Sequence, residues 1–422
     1  MLRTLAPVAA LLISVAFLLM GIGLQGTLLP VRVQLEDFSS FDIGILGSAY
    51  FVGFALGCVL TPYAIRRVGH IRAFTAMVSI ASTLSLAHAL ILIPEIWWVF
   101  RALTGFCFAG LYMIIESWLM EKSSNETRGF VFSVYTIINL TVITAGQMLT
   151  AVDDPLNFPL FALASILVSL AAVPVAMTKA AAPEVPSVVR IRPIYLYRIS
   201  PVGVVGSFAV GLVNGSFWSL GPVFAQREEG NVTEVAIFMS LVVMAGALGQ
   251  WPLGRASDKF DRRLVLVFGC IGSACAGVGL ALASRYFVAD NVLFAAAVAF
   301  GAFALPLYAI CAAHVNDHIE SDGFVEAASG LLLFYSAGAV AGPLIAAAMI
   351  EAQGVQALFM FTAMVHTWLL AFALYRMMLS ARPSKEDRGT FAEAATMAQA
   401  VSTIDTFAET PEDDGDNGNQ SG

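Results

Sequence analysis

Twelve apolar runs, each close to the length needed to cross a bilayer, recur along this chain with short polar turns between them. Roughly 20 residues of apolar helix cover the ~30 Å of hydrocarbon. Within lipid, only helices and closed barrels satisfy every backbone polar group. The runs lie near residues 7–29, 42–63, 71–93, 97–120, 129–150, 156–177, 201–225, 234–254, 264–284, 292–313, 327–350 and 356–378. They predict an all-α membrane protein with 12 transmembrane helices. Composition agrees: 58% of residues are hydrophobic and 12% charged, against about 25% charged in soluble domains. The mean hydropathy is +0.80. The first run exceeds the roughly 7–15-residue core of a signal peptide and is expected to be the first membrane helix.

Cytoplasmic loops hold an excess of Lys and Arg. With the N-terminus inside, the inner loops collect 18 of the 22 basic residues, among them Arg66, Arg67, Arg128, Arg192, Arg255, Lys259, Arg262 and Arg263. Both termini are therefore expected in the cytoplasm. Residues 380–422 carry nine acids against three bases and little apolar periodicity, which predicts an acidic, disordered cytoplasmic tail. The five cysteines lie inside predicted spans without a pairing or metal pattern, as small packing residues do.

The longest inner connection follows the sixth run, and sequence echoes keep their order across it. Gln25-Gly26-Thr27 before Pro30 answers Asn214-Gly215-Ser216 before Pro222, and Leu111-Tyr112 answers Leu307-Tyr308. The charged turn from Gly254 to Arg263 is echoed around Pro62 to Gly69. An old duplication leaves this kind of order. The expected organisation is a six-helix bundle over 1–178, a linker over 179–200, a second bundle over 201–379 and the tail over 380–422.

These residues carry a family resemblance. Gly254-x3-Asp258-Lys259-x-Asp261-Arg262-Arg263 resembles the loop signature of the major facilitator superfamily, and Arg101-x3-Gly105-x4-Gly110 resembles its fourth-helix motif. The resemblance runs from residue 1 to about 382. Ile115-Glu116-Ser117-Trp118-Leu119, Asn214-Gly215-Ser216-Phe217-Trp218 and Ala313-His314-Val315-Asn316-Asp317 are similar to the YcaD-like branch of its bacterial transporters. It implies two pseudo-symmetric bundles that rock around a central site in the bacterial inner membrane. There are departures: Arg66 stands where the second copy has Asp258, Pro62 where it has Gly254, and the Gly-Pro of an antiporter fifth helix is missing. A conformational latch of Gly254, Asp258, Lys259, Arg262 and Arg263, with Arg66, Arg67 and Gly69 in the first copy, is expected to centre on Asp258.

Charged and strongly polar residues at membrane depth are the default functional candidates. Arg101, Gly105, Phe108, Tyr112 and Glu116 share one helical stripe, and Arg101 and Glu116 stand about 22 Å apart along it. Arg101, Tyr112, Gln25, Asn214, Trp218 and Tyr308 are expected to line a substrate cavity. Interhelical hydrogen bonding explains Gln25 and Asn214 equally well. Glu116, His314 and Asp317 are expected to couple protons. A solvated helix cap, or a metal site in place of proton coupling, would also suit His314, Asp317 and His318.

The leading expectation is a secondary transporter, not an enzyme, that moves a small organic solute by alternating access with protons. It would act as a monomer in the lipid bilayer, without cofactor, metal or nucleic acid. The alternative is a membrane sensor or scaffold that signals through its tail.

Overall fold

In the computed structural model, residues 8–122, 128–177, 192–286, 290–319 and 324–379 are described. The expected acidic tail and residues 179–191 of the expected linker lie outside them. Twelve helices are long and apolar enough to cross a membrane. In chain order they are α1 (Ala9–Leu35), α2 (Ser40–Val68), α3 (His70–Leu90), α4 (Pro94–Glu121) and α5 (Arg128–Met148). Next come α6 (Pro159–Leu170, continued by Ala172–Ala176), α7 (Pro201–Glu229), α8 (Val232–Lys259) and α9 (Arg262–Arg285). α10 (Asp290–Ala304, then Leu307–Asn316), α11 (Phe324–Gln353) and α12 (Ala357–Leu379) complete the set. A short helix, Pro193–Ile199, leads into α7.

Successive spans alternate in direction, so α1 begins and α12 ends at one end of the bundle, here called the terminal end. Several helices extend past the apolar runs because capping fixes their ends. At the distal end, the Ser39 hydroxyl accepts from Asp42 N at 3.1 Å, and the reciprocal bond from Ser39 N completes a capping box at α2. α7 ends on Gly230, whose φ of 65° is left-handed backbone open to glycine. α10 breaks at Leu305-Pro306, where proline lacks the amide that a continuous helix would use.

The halves repeat their packing. α2 lies against α4 as α8 lies against α10, and α1 against α5 as α7 against α11. Contacts between halves run from the midplane to the distal end. Ser48 Oγ donates to Val340 O at 2.7 Å, and Arg227 Nε donates to Gln34 Oε1 at 3.0 Å. α2 meets α11 so closely at Gly44 that a Cβ there would stand 2.9 Å from Pro343 O. These contacts close the distal end.

Candidate functional site

Arg101 sits about 10 Å along α4 from its distal end. Four residues later, Gly105 lets α4 lie against the α2 backbone: a Cβ there would be 2.9 Å from the Tyr50 carbonyl carbon. This close approach brings the Arg101 guanidinium carbon to 4.5 Å from the centre of the Tyr50 ring, within cation–π range. Arg101 Nε is enclosed without a hydrogen-bond partner. The Arg-x3-Gly spacing thus has a local purpose, since the glycine sets the helix distance and the arginine uses it.

Tyr50 opens onto the seam between the halves. Phe54, Cys58 and Ala109 of the first half cluster with Leu332 of the second, and Tyr50, Tyr112 and Tyr335 pack around them. Tyr335 in turn meets Tyr308 edge-on, with ring centres 5.2 Å apart, and Asn214 lies against Tyr335. The Tyr308 hydroxyl and Asn214 Oδ1 are buried without hydrogen-bond partners. Orphaned polar atoms at the centre of an apolar bundle are rare in packing and common where water or a ligand completes them. Trp218 is half-buried, its ring 5.5 Å from that of Phe217. Gln25 differs from Asn214: its amide donates to Ser85 Oγ at 2.6 Å, tying α1 to α3.

Glu116 is 1% exposed and accepts a hydrogen bond from the Tyr135 hydroxyl of α5 at 2.9 Å. The structure does not bring it near His314 or Asp317, which lie in the other half at the terminal end of α10.

There Asp317 takes a partner apart from the two histidines. Asp317 Oδ2 accepts from Arg262 Nε at 2.7 Å, both side chains nearly fully buried. His314 Nδ1 lies 2.8 Å from the Ser200 hydroxyl at the start of α7. His318 stacks on His314, with ring centres 4.8 Å apart, and its Nδ1 meets the His314 carbonyl oxygen at 2.7 Å. Among the described residues, no group of three or more His, Cys, Asp or Glu could hold a metal ion.

Arg262 also donates from Nη1 to Ser257 Oγ at 2.9 Å, whereas Asp258 stands 3.6 Å from that nitrogen and is 42% exposed. The α9 amides are capped not by Asp258, the expected centre of the latch, but by Asp261, whose Oδ1 accepts from Arg263 N at 3.0 Å. The same carboxylate grips the Arg263 guanidinium at 3.2 and 2.9 Å. Asp258 lies in the last turn of α8, a full turn before the α9 amides, whereas Asp261 occupies the N-cap itself. Gly254 is buried, and Lys259 is exposed beside Asp258. In the first half, Arg66 and Arg67 are exposed and Gly69 turns the chain with a φ of 84°. Sequence reasoning missed Tyr50, Tyr335, Tyr135, Ser200 and the pairing of Asp317 with Arg262. For the tyrosines a signal existed, since each is an aromatic residue with a polar tip inside an apolar run.

Two pseudo-symmetric bundles of six membrane helices, enclosing polar groups at their seam, define an integral multi-pass membrane transporter. The chain belongs to the Major Facilitator Superfamily, whose sequence pattern matches residues 11–286 and, overlapping them, 203–407. An uncharacterized MFS-type transporter YcaD of Escherichia fergusonii is 27% identical over 365 residues, 85% of this chain and 93% of the relative. An Escherichia coli YcaD is 27% identical over 82% of this chain and 89% of its own length. Among solved structures, the nucleoside transporter NupG superposes with a TM-score of 0.72 at 12% identity, covering 89% of this chain and all of its own. A D-xylose-proton symporter gives 0.69 at 15% identity, covering 89% and 98%.

Proposed function

We propose that this protein is a secondary active transporter that carries a small organic solute by alternating access, coupled to protons. The observation that supports this most is the set of enclosed, unpartnered polar atoms of Arg101, Tyr308 and Asn214, gathered beside a seam that is closed toward the distal end. A solute entering from the terminal end would complete them, and rocking of the halves would reopen the site on the other side. The excess of basic residues in the terminal-end loops supports a cytoplasmic side for that end in a bacterial inner membrane; the closed end then faces outward.

Arg101, Tyr112, Asn214, Trp218 and Tyr308 form the substrate cavity, and Gln25 supports it through Ser85. Glu116 carries the proton: it is a buried carboxyl group with a hydroxyl donor at 2.9 Å, and such groups at membrane depth serve proton relays. His314 and Asp317 complete the proton-coupling set at the terminal end of α10, where Asp317 holds Arg262. Proton coupling fits the symport named for the structurally similar D-xylose carrier.

The test is proton movement into proteoliposomes loaded with a pH dye, on addition of sugars, nucleosides and organic acids. At least one class should drive flux. Glu116→Gln, which keeps an oxygen in place for Tyr135, should abolish proton-linked flux while leaving solute exchange within about threefold. Absence of flux with every class would refute transport and favour the sensor reading.

A further inference from the structure

We propose that the seam between the halves is built for an organic monoanion with a planar apolar body, its single negative charge paired with Arg101. This rests on the transport reading above and narrows its substrate class.

Charge is the first argument. Among the described residues no carboxylate pairs with Arg101, whereas Arg32 pairs with Glu36, Arg262 with Asp258 and Asp317, and Arg263 with Asp261. Glu116, on the same helix, is about 22 Å away along the axis and engaged by Tyr135. A cation at membrane depth is unfavourable unless something compensates it. The Tyr50 face supplies part of that compensation, and Arg101 Nε still has no acceptor. A guanidinium presents paired donors to a planar carboxylate. With one cation at the seam, a monoanion leaves the occupied site neutral, whereas a dianion would bring an unpaired charge into the bundle.

Shape and order are the second argument. From Arg101, the seam runs past Tyr50 to Tyr335 of the other half and on to Tyr308 and Asn214. These rings offer flat apolar walls to a planar body. At the far end of the row, the Tyr308 hydroxyl and Asn214 Oδ1 lack partners, a donor and an acceptor for a polar substituent. A solute with a carboxylate at one end and a ring behind it would touch both halves at once, which a rocking carrier requires.

The test is the thermal stability of the purified full-length protein with indole-3-acetate, phenylacetate and benzoate, each against its neutral amide. At least one acid should bind at least tenfold more tightly than its amide. Arg101→Met should remove that preference, and Arg101→Lys, which keeps the charge but loses the fork, should retain part of it. If Arg101→Met does not fold, the acid–amide ratio in the native protein and in Arg101→Lys decides. Amides binding as well as acids, or no binding by any acid, would overturn the proposal. Transport is judged separately: acid binding without flux in proteoliposomes keeps the anion site and removes the carrier, whereas flux of neutral solutes unaffected at Arg101 does the reverse.

Discussion

Two turns at the terminal end, one joining α2 to α3 and the other α8 to α9, hold equivalent places in the two halves and are built from different chemistry. His70 opens α3 and is buried, its ring 6.1 Å from that of Trp118 on α4. Arg262 opens α9 and is buried as well, but it reaches Asp317 at the end of α10 at 2.7 Å and Ser257 at 2.9 Å. One corner is an aromatic contact; the other is an ion lock whose neighbours, Asp261 with Arg263 and His314 with Ser200, are polar too. The ring contact is held by packing, which salt screens little. A buried ion pair holds only while its geometry and charges are complete. Of these two corners, the second carries the buried Arg262–Asp317 ion pair.

The comparison can be broken most sharply at Arg262. Arg262→Ala leaves Asp317 buried without its cation, and stability should fall by about 3 kcal/mol, the lower range for one-sided removal of a buried pair. Denaturation in detergent micelles measures it, and restoration by a second change, Asp317→Leu, would mark the loss as electrostatic. The equivalent change in the first half, His70→Ala, should cost about 1–2 kcal/mol through lost packing and show little dependence on salt. A loss at His70 as large as that at Arg262 would remove the asymmetry. The smallest effect belongs to Asp258→Asn, at most about 0.5 kcal/mol, because that carboxylate is 42% exposed and 3.6 Å from its cation. A collapse of stability or transport in Asp258→Asn would return the centre of the lock to Asp258.

The sequence made some of this legible and concealed the rest for physical reasons. Apolar length and loop charge suffice for twelve spans, because a helix in lipid has few alternatives. The stripe from Arg101 to Glu116 follows from helical periodicity alone. Partners across helices do not. Asp317 and Arg262 are distant in sequence, and their meeting depends on how α10 lies against α9; spacing within one helix could only suggest that Asp317 belonged with its neighbours His314 and His318. Asp258 drew attention through its motif position, but N-cap geometry hands the α9 amides to Asp261. Tyr50 and Tyr335 carry polar tips inside apolar runs, but their meeting at the seam follows only once the halves are brought together.

Alternating access itself is tested most directly by distances between spin labels across the halves at each end. One pair, Lys122→Cys with Lys259→Cys, reports the terminal end; the other, Glu36→Cys with Thr233→Cys, reports the distal end. Cys275, the exposed cysteine, is replaced by Ser in both. With a transported solute or a pH step, one distance should lengthen as the other shortens. Both pairs unchanged under every condition that drives flux, or both moving in the same direction, would contradict a carrier that works by rocking its halves.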